Sequence, residues 1–307
     1  MKLKMMMLFA LLGVILQARA QIIITGMMID PVGGDGGYEY IQLMATEDID
    51  FSVTPYALVR CVNTGTLGSV TADGWAAGGV RTFKFDLTKG KAAKGSFFYV
   101  GGEKKRIVGY WQKNQSTDIS EKAENIANRG NWIRAIKYKG AADGTVVGDG
   151  FGEKTDGLLP NGSANPVGIG VFAGTGVTGA SVPIDAVFVA TASPISATSL
   201  IASYNAALGV GYLVPENDLY TLKKSKYFGD GGNTDAFLYP SAKGVGLEKD
   251  SGQFLMLGGI YNSAKKKWYV SRATNYASLC KDKNDASSAT VTQLADIEKA
   301  KGVTKLK

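Results

Sequence analysis

The chain has 307 residues, 40 of them glycine, two cysteines, no histidine and a formal charge of +7. The lack of histidine excludes Ser-His-Asp and Cys-His catalysis, imidazole zinc sites and His-dependent nucleases. Carboxylate, Lys and Tyr chemistry stay open, but two cysteines so far apart with no His build no zinc site.

The first twenty residues read as a cleavable signal peptide. Lys2 and Lys4 form a positive start, 5–16 an apolar stretch, and Ala18-Arg19-Ala20 a small-x-small cleavage site before Gln21. The apolar run falls short of the roughly 20 residues a membrane span needs. Removing Lys2, Lys4 and Arg19 leaves +4. Lys265-Lys266-Lys267 and Lys223-Lys224 are short clusters, whereas a nucleic-acid surface wants a broader stripe. They read as a solvated face, and no nucleic-acid partner is expected.

Beyond the leader, short apolar runs alternate with Gly, Asn, Asp and Pro clusters, the pattern of a β-sandwich or barrel. Strands are expected at 22–29, 38–44, 56–62, 80–87, 96–100, 107–111, 133–138, 168–172 and 184–190, and further on at 254–261 and 267–271. Alternation in 38–44 is imperfect, since Glu39 and Gln42 lie three apart; aromatic and β-branched residues carry that assignment. Asp118-Ile119-Ser120-Glu121 is a capping-box pattern, with Gly130 as its C-terminal stop. Thr290-Val291-Thr292-Gln293 repeats the logic; Leu294 and Ile297 then share one helix face before Gly302. Residues 157–215 carry one charge, Asp185, yet their prolines, glycines and hydroxyl residues favour buried strands over a spanning helix. A Ser/Thr/Ala-rich stretch at 191–200 suggests a boundary, dividing the chain into a sandwich over 21–195 and a β-rich region over 196–307 that ends in a helix.

Several motifs match chemistry only superficially. Gly174-Thr175-Gly176-Val177-Thr178-Gly179 has dinucleotide-fingerprint spacing but leads into a strand instead of a helix, so it reads as a hairpin turn. Asp250-Ser251-Gly252 lacks the second carboxylate of an aspartic protease and reads as a turn. Ser263-x-x-Lys266 and Ser278-x-x-Lys281 lack the companion elements of serine–lysine acylases. Gly/Asp loops carry hard oxygen ligands suited to Ca²⁺: Asp30, Asp35 and Glu39 in one, Asp149, Glu153 and Asp156 in a second, Asp230, Asn233 and Asp235 in a third. Turn formation alone also accounts for this composition. Trp75, Trp111, Trp132 and Trp268, with fourteen tyrosines, allow an aromatic sugar platform, for which Trp111 and Trp132 are the candidates, with burial in the core as the competing role. Export permits a Cys61–Cys280 disulfide, and two buried thiols would fit as well.

Three segments resemble the lamin-tail-type domain, an immunoglobulin-like β-sandwich of nuclear lamins and many exported bacterial proteins. They are Ile22-Ile23-Ile24-Thr25-Gly26-Met27-Met28 followed by Tyr38-Glu39-Tyr40-Ile41-Gln42-Leu43; Lys94-Gly95-Ser96-Phe97-Phe98-Tyr99-Val100-Gly101-Gly102; and Val167-Gly168-Ile169-Gly170-Val171-Phe172 with Ile184-Asp185-Ala186-Val187. The likeness covers about residues 21–192. It departs from the family at Gln42, where a second Glu is usual, and in an insertion over about 111–166. The resemblance implies a binding or architectural module. The expectation is therefore a mainly β, immunoglobulin-like, exported and non-enzymatic module of the cell surface or extracellular space, with no transmembrane segment after cleavage. It would bind a protein, cell-envelope component or glycan. A carboxylate-dependent hydrolase of extracellular glycans is the alternative, and it needs two acids facing each other across a cleft.

Overall fold

In the computed structural model of the chain, the described residues are 22–31, 38–62, 75, 83–101, 106–109, 116–118, 133–134, 159, 167–178, 181–191, 215, 236–239, 252–279 and 294–307. The protein is mainly β. In chain order the strands are β1 (Ile22–Met28), β2 (Tyr40–Ala45), β3 (Ile49–Asp50), β4 (Tyr56–Val62), β5 (Phe83–Leu87), β6 (Lys91–Ala92), β7 (Phe97–Gly101), β8 (Arg106–Val108), β9 (Ser116–Asp118), β10 (Ile133–Arg134), β11 (Val167–Ala173), β12 (Asp185–Thr191), β13 (Ala236–Tyr239), β14 (Gln253–Asn262), β15 (Lys267–Ser278) and β16 (Thr304–Leu306). Among the described residues one helix, α1 (Leu294–Lys299), precedes β16.

Two large sheets hold most of these strands. The first runs β15–β14–β1–β2–β7, with β16 also paired to β14; the second runs β10–β5–β4–β11–β12–β13. All pairings in them are antiparallel except β12–β13 and β14–β16. Their facing sides share one apolar core, which includes Ile24, Leu43 and Phe98 from the first and Leu58, Val171 and Val187 from the second. Phe51 bridges the layers, edge-on to both Phe98 and Tyr56 at centroid distances of 5.7 and 5.9 Å.

The boundary expected at 191–200 lies almost entirely outside the described residues. Strands from either side of it share both sheets: β13 joins the second, and β14, β15 and β16 join the first. The two parts of the chain thus build one core.

β1, β2 and β7 are buried at every position. This explains the imperfect alternation around Glu39 and Gln42, because a sheet covered on both faces has no reason to alternate. The second sheet covers one face and α1 the other, where Ile297 is fully buried. A polar chain runs beneath α1. Thr25 Oγ1 donates to Gln42 Oε1 (2.9 Å), Gln42 Nε2 donates to Tyr99 Oη (2.9 Å), and Tyr99 Oη donates to Glu298 Oε1 (3.2 Å). Burial, with Glu298 nearby, pushes the Tyr99 phenol up, so it stays a neutral donor. Gln42 must accept at one end and donate at the other, which a carboxylate cannot do. That is the physical reason for Gln at this position. Gln42→Leu leaves Thr25 Oγ1 only the backbone carbonyl of residue 42 (3.2 Å) and Tyr99 Oη only Glu298, and is expected to cost about 1–3 kcal/mol in urea denaturation.

Of the two expected helices, α1 covers Leu294–Lys299 and ends before Gly302 as expected, while its expected cap over 290–293 lies outside the described residues. Asp118, read as a helix cap, instead closes β9; residues 119–130 lie outside the described set. Among the described residues, no helix is long and apolar enough to cross a membrane.

Candidate functional site

β1 pairs with β14 only from Gly26 to Met28. Past a bulge between Ile24 and Gly26 the two strands part. The Ile24 N–H turns to Asp185 Oδ2 (2.7 Å), and β14 pairs instead with β16 over Gly259 to Tyr261. Arg272 of β15 closes the gap from inside. Its guanidinium binds both Asp185 oxygens at 2.9 and 3.1 Å and donates to the Ile24 and Ala186 carbonyls. It also lies 4.6 Å from the Trp268 ring centroid. Burial pushes the Asp185 carboxyl up, and Arg272 opposes that shift.

Two bulges shape β15. Ser271 and Arg272 together oppose Gly259, and Tyr269 is an extra residue between the Ile260–Val270 and Tyr261–Trp268 pairs. Plain alternation from Trp268 to Arg272 would turn Val270 inward. The bulges turn it out, leaving Tyr269 55% and Val270 42% exposed beside the buried Trp268 and Arg272.

On this outer face the sheet forms a groove of about 750 Å³. Met256, Gly258 and Ile260 of β14 and Val270, Ala273 and Asn275 of β15 line it. The turn after α1 supplies a rim through Ala300, Lys301 and Val303, and β16 adds Lys305. The rim is held down by close backbone approach. A Cβ on Gly258 would stand 2.6 Å from the Gly302 carbonyl oxygen, so only glycine admits the turn there. Asn275 Nδ2 donates to that same oxygen at 3.3 Å, and Thr304 Oγ1 donates to the Leu257 carbonyl. Tyr276 completes the lining; burial raises its phenol, so it serves as a neutral hydrogen-bonding group. The lining contains no Asp or Glu. An apolar floor with a few polar groups and two cations at the rim suits capture of a ligand.

The residues singled out in the sequence fall elsewhere. Asp30 and Glu39 are buried at the neck of the β1–β2 loop, brought together by the Met28–Tyr40 pair. Asp35, Asp149, Glu153 and Asp156 lie outside the described residues, as do Asp230, Asn233, Trp111, Trp132 and Cys280. Among the described residues there is no group of three or more potential metal ligands. Cys61 lies in β4 opposite Gly168, and its side chain is outside the described set, so the pairing with Cys280 is too. Residues 174–178 connect the antiparallel β11 and β12, the hairpin role expected for them. Ser263 and Lys266 sit in the β14–β15 turn, where Ser263 Oγ donates to the Lys307 carbonyl (3.3 Å). The groove itself was missed. The lysine triplet at 265–267, read as a solvated face, is not part of its lining.

Comparison of the chain with protein-family models, with curated proteins and with solved structures gives no match.

Proposed function

We propose that this is an exported, non-enzymatic binding module of the cell surface or extracellular space, built as a lamin-tail-like, immunoglobulin-type sandwich, and that it captures its ligand in the β14–β15 groove. The groove carries this reading, because its volume lies in the range of small-ligand sites, about 300–1,000 Å³. The motif segments behind the family likeness support it as well. They form the neighbours β1, β2 and β7 in one sheet and the pair β11–β12 in the other. The signal-like leader supports export. Of the four buried carboxylates among the described residues, Asp185 and Asp86 are engaged in ion pairs with Arg272 and Lys84, the latter at 2.5 Å, and Asp30 and Glu39 lie at the neck of the β1–β2 loop. The Asp185 pair joins β12 to β15, the Asp86 pair lies within β5, and neither lines the groove.

The test is a glycan array of neutral and acidic oligosaccharides, read with the wild-type chain and with Val270→Trp. Val270 is exposed on the groove wall, so an indole there fills the groove without entering the core. At least one array ligand is expected to bind, with affinity reduced by about tenfold or more in Val270→Trp, equivalent to roughly 1.4 kcal/mol. No binding anywhere on the array, or binding indifferent to Val270→Trp, overturns the proposal.

A further inference from the structure

The lysines nearest the groove come from two distant parts of the sequence. Lys265 and Lys266 lie in the β14–β15 turn, Lys267 opens β15, and Lys301, Lys305 and Lys307 follow α1. Strand pairing merges the two sets. Ile260 pairs with Lys305, the Lys307 N–H donates to the Tyr261 carbonyl (2.8 Å), and the Ser263 N–H donates to the Lys307 carbonyl (3.1 Å). Residues 262–278 and 299–307 contain no acidic residue. Lys301, Lys305 and Lys307 take part in none of the ion pairs among the described residues, Lys84–Asp86, Lys91–Asp50 and Arg272–Asp185.

The direction of the charge matters. Lys305, Ile260 and Val270 form one row across β16, β14 and β15, and all three line the groove. A ligand following the lysines therefore lies across the strands. A peptide adding to the sheet would run along the β15 edge and meet this row at one point only. Tyr269 stands exposed at the end of the row, with Lys307 Nζ 3.9 Å from its ring centroid, so a flat ring and a cation are offered together. Membrane insertion would need a larger apolar tip than Tyr269 and Val270 provide.

We infer that the groove and its merged lysines bind an acidic polysaccharide, whose sugar rings pack on Tyr269 and the apolar floor while its anionic groups meet Lys301, Lys305 and Lys307. This rests on the reading of the groove as the binding site. Charge brings the polymer to the surface, and the rings select it from other polyanions.

Polygalacturonate is the probe, tested against the full chain by affinity electrophoresis and calorimetry, with neutral dextran, polyglutamate, double-stranded DNA and phosphatidylglycerol vesicles as comparators. Polygalacturonate binding is expected to fall about tenfold or more from 50 to 500 mM NaCl, since about 1 M salt screens charges to a few ångströms. It is expected to fall by a similar factor in Lys301→Glu/Lys305→Glu and several-fold in Tyr269→Ala, with thermal midpoints unchanged because all three side chains are solvent-facing. Dextran is expected to stay unbound. Equal or tighter binding of polyglutamate, DNA or vesicles overturns the inference, as does polygalacturonate binding indifferent to the lysine pair. If a neutral glycan binds and is lost in Val270→Trp while polygalacturonate does not bind, this inference falls and the binding-module reading stands. If neither binds, both fall.

Discussion

Arg272→Met is expected to destabilise the protein by about 3–5 kcal/mol, because it leaves Asp185 ionised in a dry core without its counter-charge. Both side chains are about 1% exposed, and the pair is bidentate. Asp185 also accepts the Ile24 N–H, so the carboxylate joins the second sheet to β1 at the point where β1 leaves β14. Losing Arg272 therefore disturbs three strands together. Removing both charges, as in Arg272→Met/Asp185→Leu, is expected to cost less than either single change, since no buried charge is then left alone. Urea denaturation of the two single variants and the double variant forms the cycle. A double variant as unstable as the sum of the singles would refute the account.

The pH response has a definite sign. Burial raises the folded-state pKa of Asp185, and Arg272 holds it back. In Arg272→Met the restraint is gone, so the folded state binds a proton at a pH where the unfolded state has released it. Stability then falls as pH rises from the ordinary Asp range towards the raised folded value. The variant is expected to be more stable at pH 5 than at pH 7 relative to wild type. A wild-type-like pH profile in the variant would show that Asp185 is not the group left stranded.

What could be read in advance depended on whether the signal was local. β4 is local: its apolar run at 56–62 matches the observed strand at both ends. β1, β7, β11 and β12 fall within one or two residues of expectation, the spread usual for strand ends. β15 was expected to stop at 271 yet runs to Ser278. Its bulges break the two-residue period just where the reading ended, and a bulge leaves little trace in sequence. Asp185 was visible as the lone charge in a long apolar stretch. Its partner was not, because Arg272 belongs to another sheet 87 residues away. The groove has the same difficulty. Lys265 to Lys267 look like an ordinary turn until β16 brings Lys305 and Lys307 alongside. Which strands share a sheet lies a step beyond period and composition, which specify strands but not their order.

Trp75→Ala is expected to cost about 3–5 kcal/mol, at the upper end for a single side chain. Trp75 is fully buried on the outer face of the second sheet, edge-on to Phe172 at 5.7 Å and tilted against Phe188 at 5.8 Å. The sheet makes room for it with two glycines of β11. A Cβ on Gly168 would stand 3.0 Å from Phe188 and 3.1 Å from Trp75, and one on Gly170 would crowd Phe172 at 3.0 Å. The alternation of β11 is thus branched residues inward, Ile169 and Val171, and glycines outward beneath an indole. Gly168→Val in the wild-type background overfills this site and is expected to cost about 1–3 kcal/mol. In the Trp75→Ala background the same valine occupies space the indole has left, so the combined loss is expected to fall short of the sum by about 0.5–3 kcal/mol. Denaturant midpoints with an unchanged m-value measure this directly. Strict additivity would mean that Trp75 does not rest on Gly168. A shared site requires a favourable coupling, because the volume removed and the volume added are the same volume.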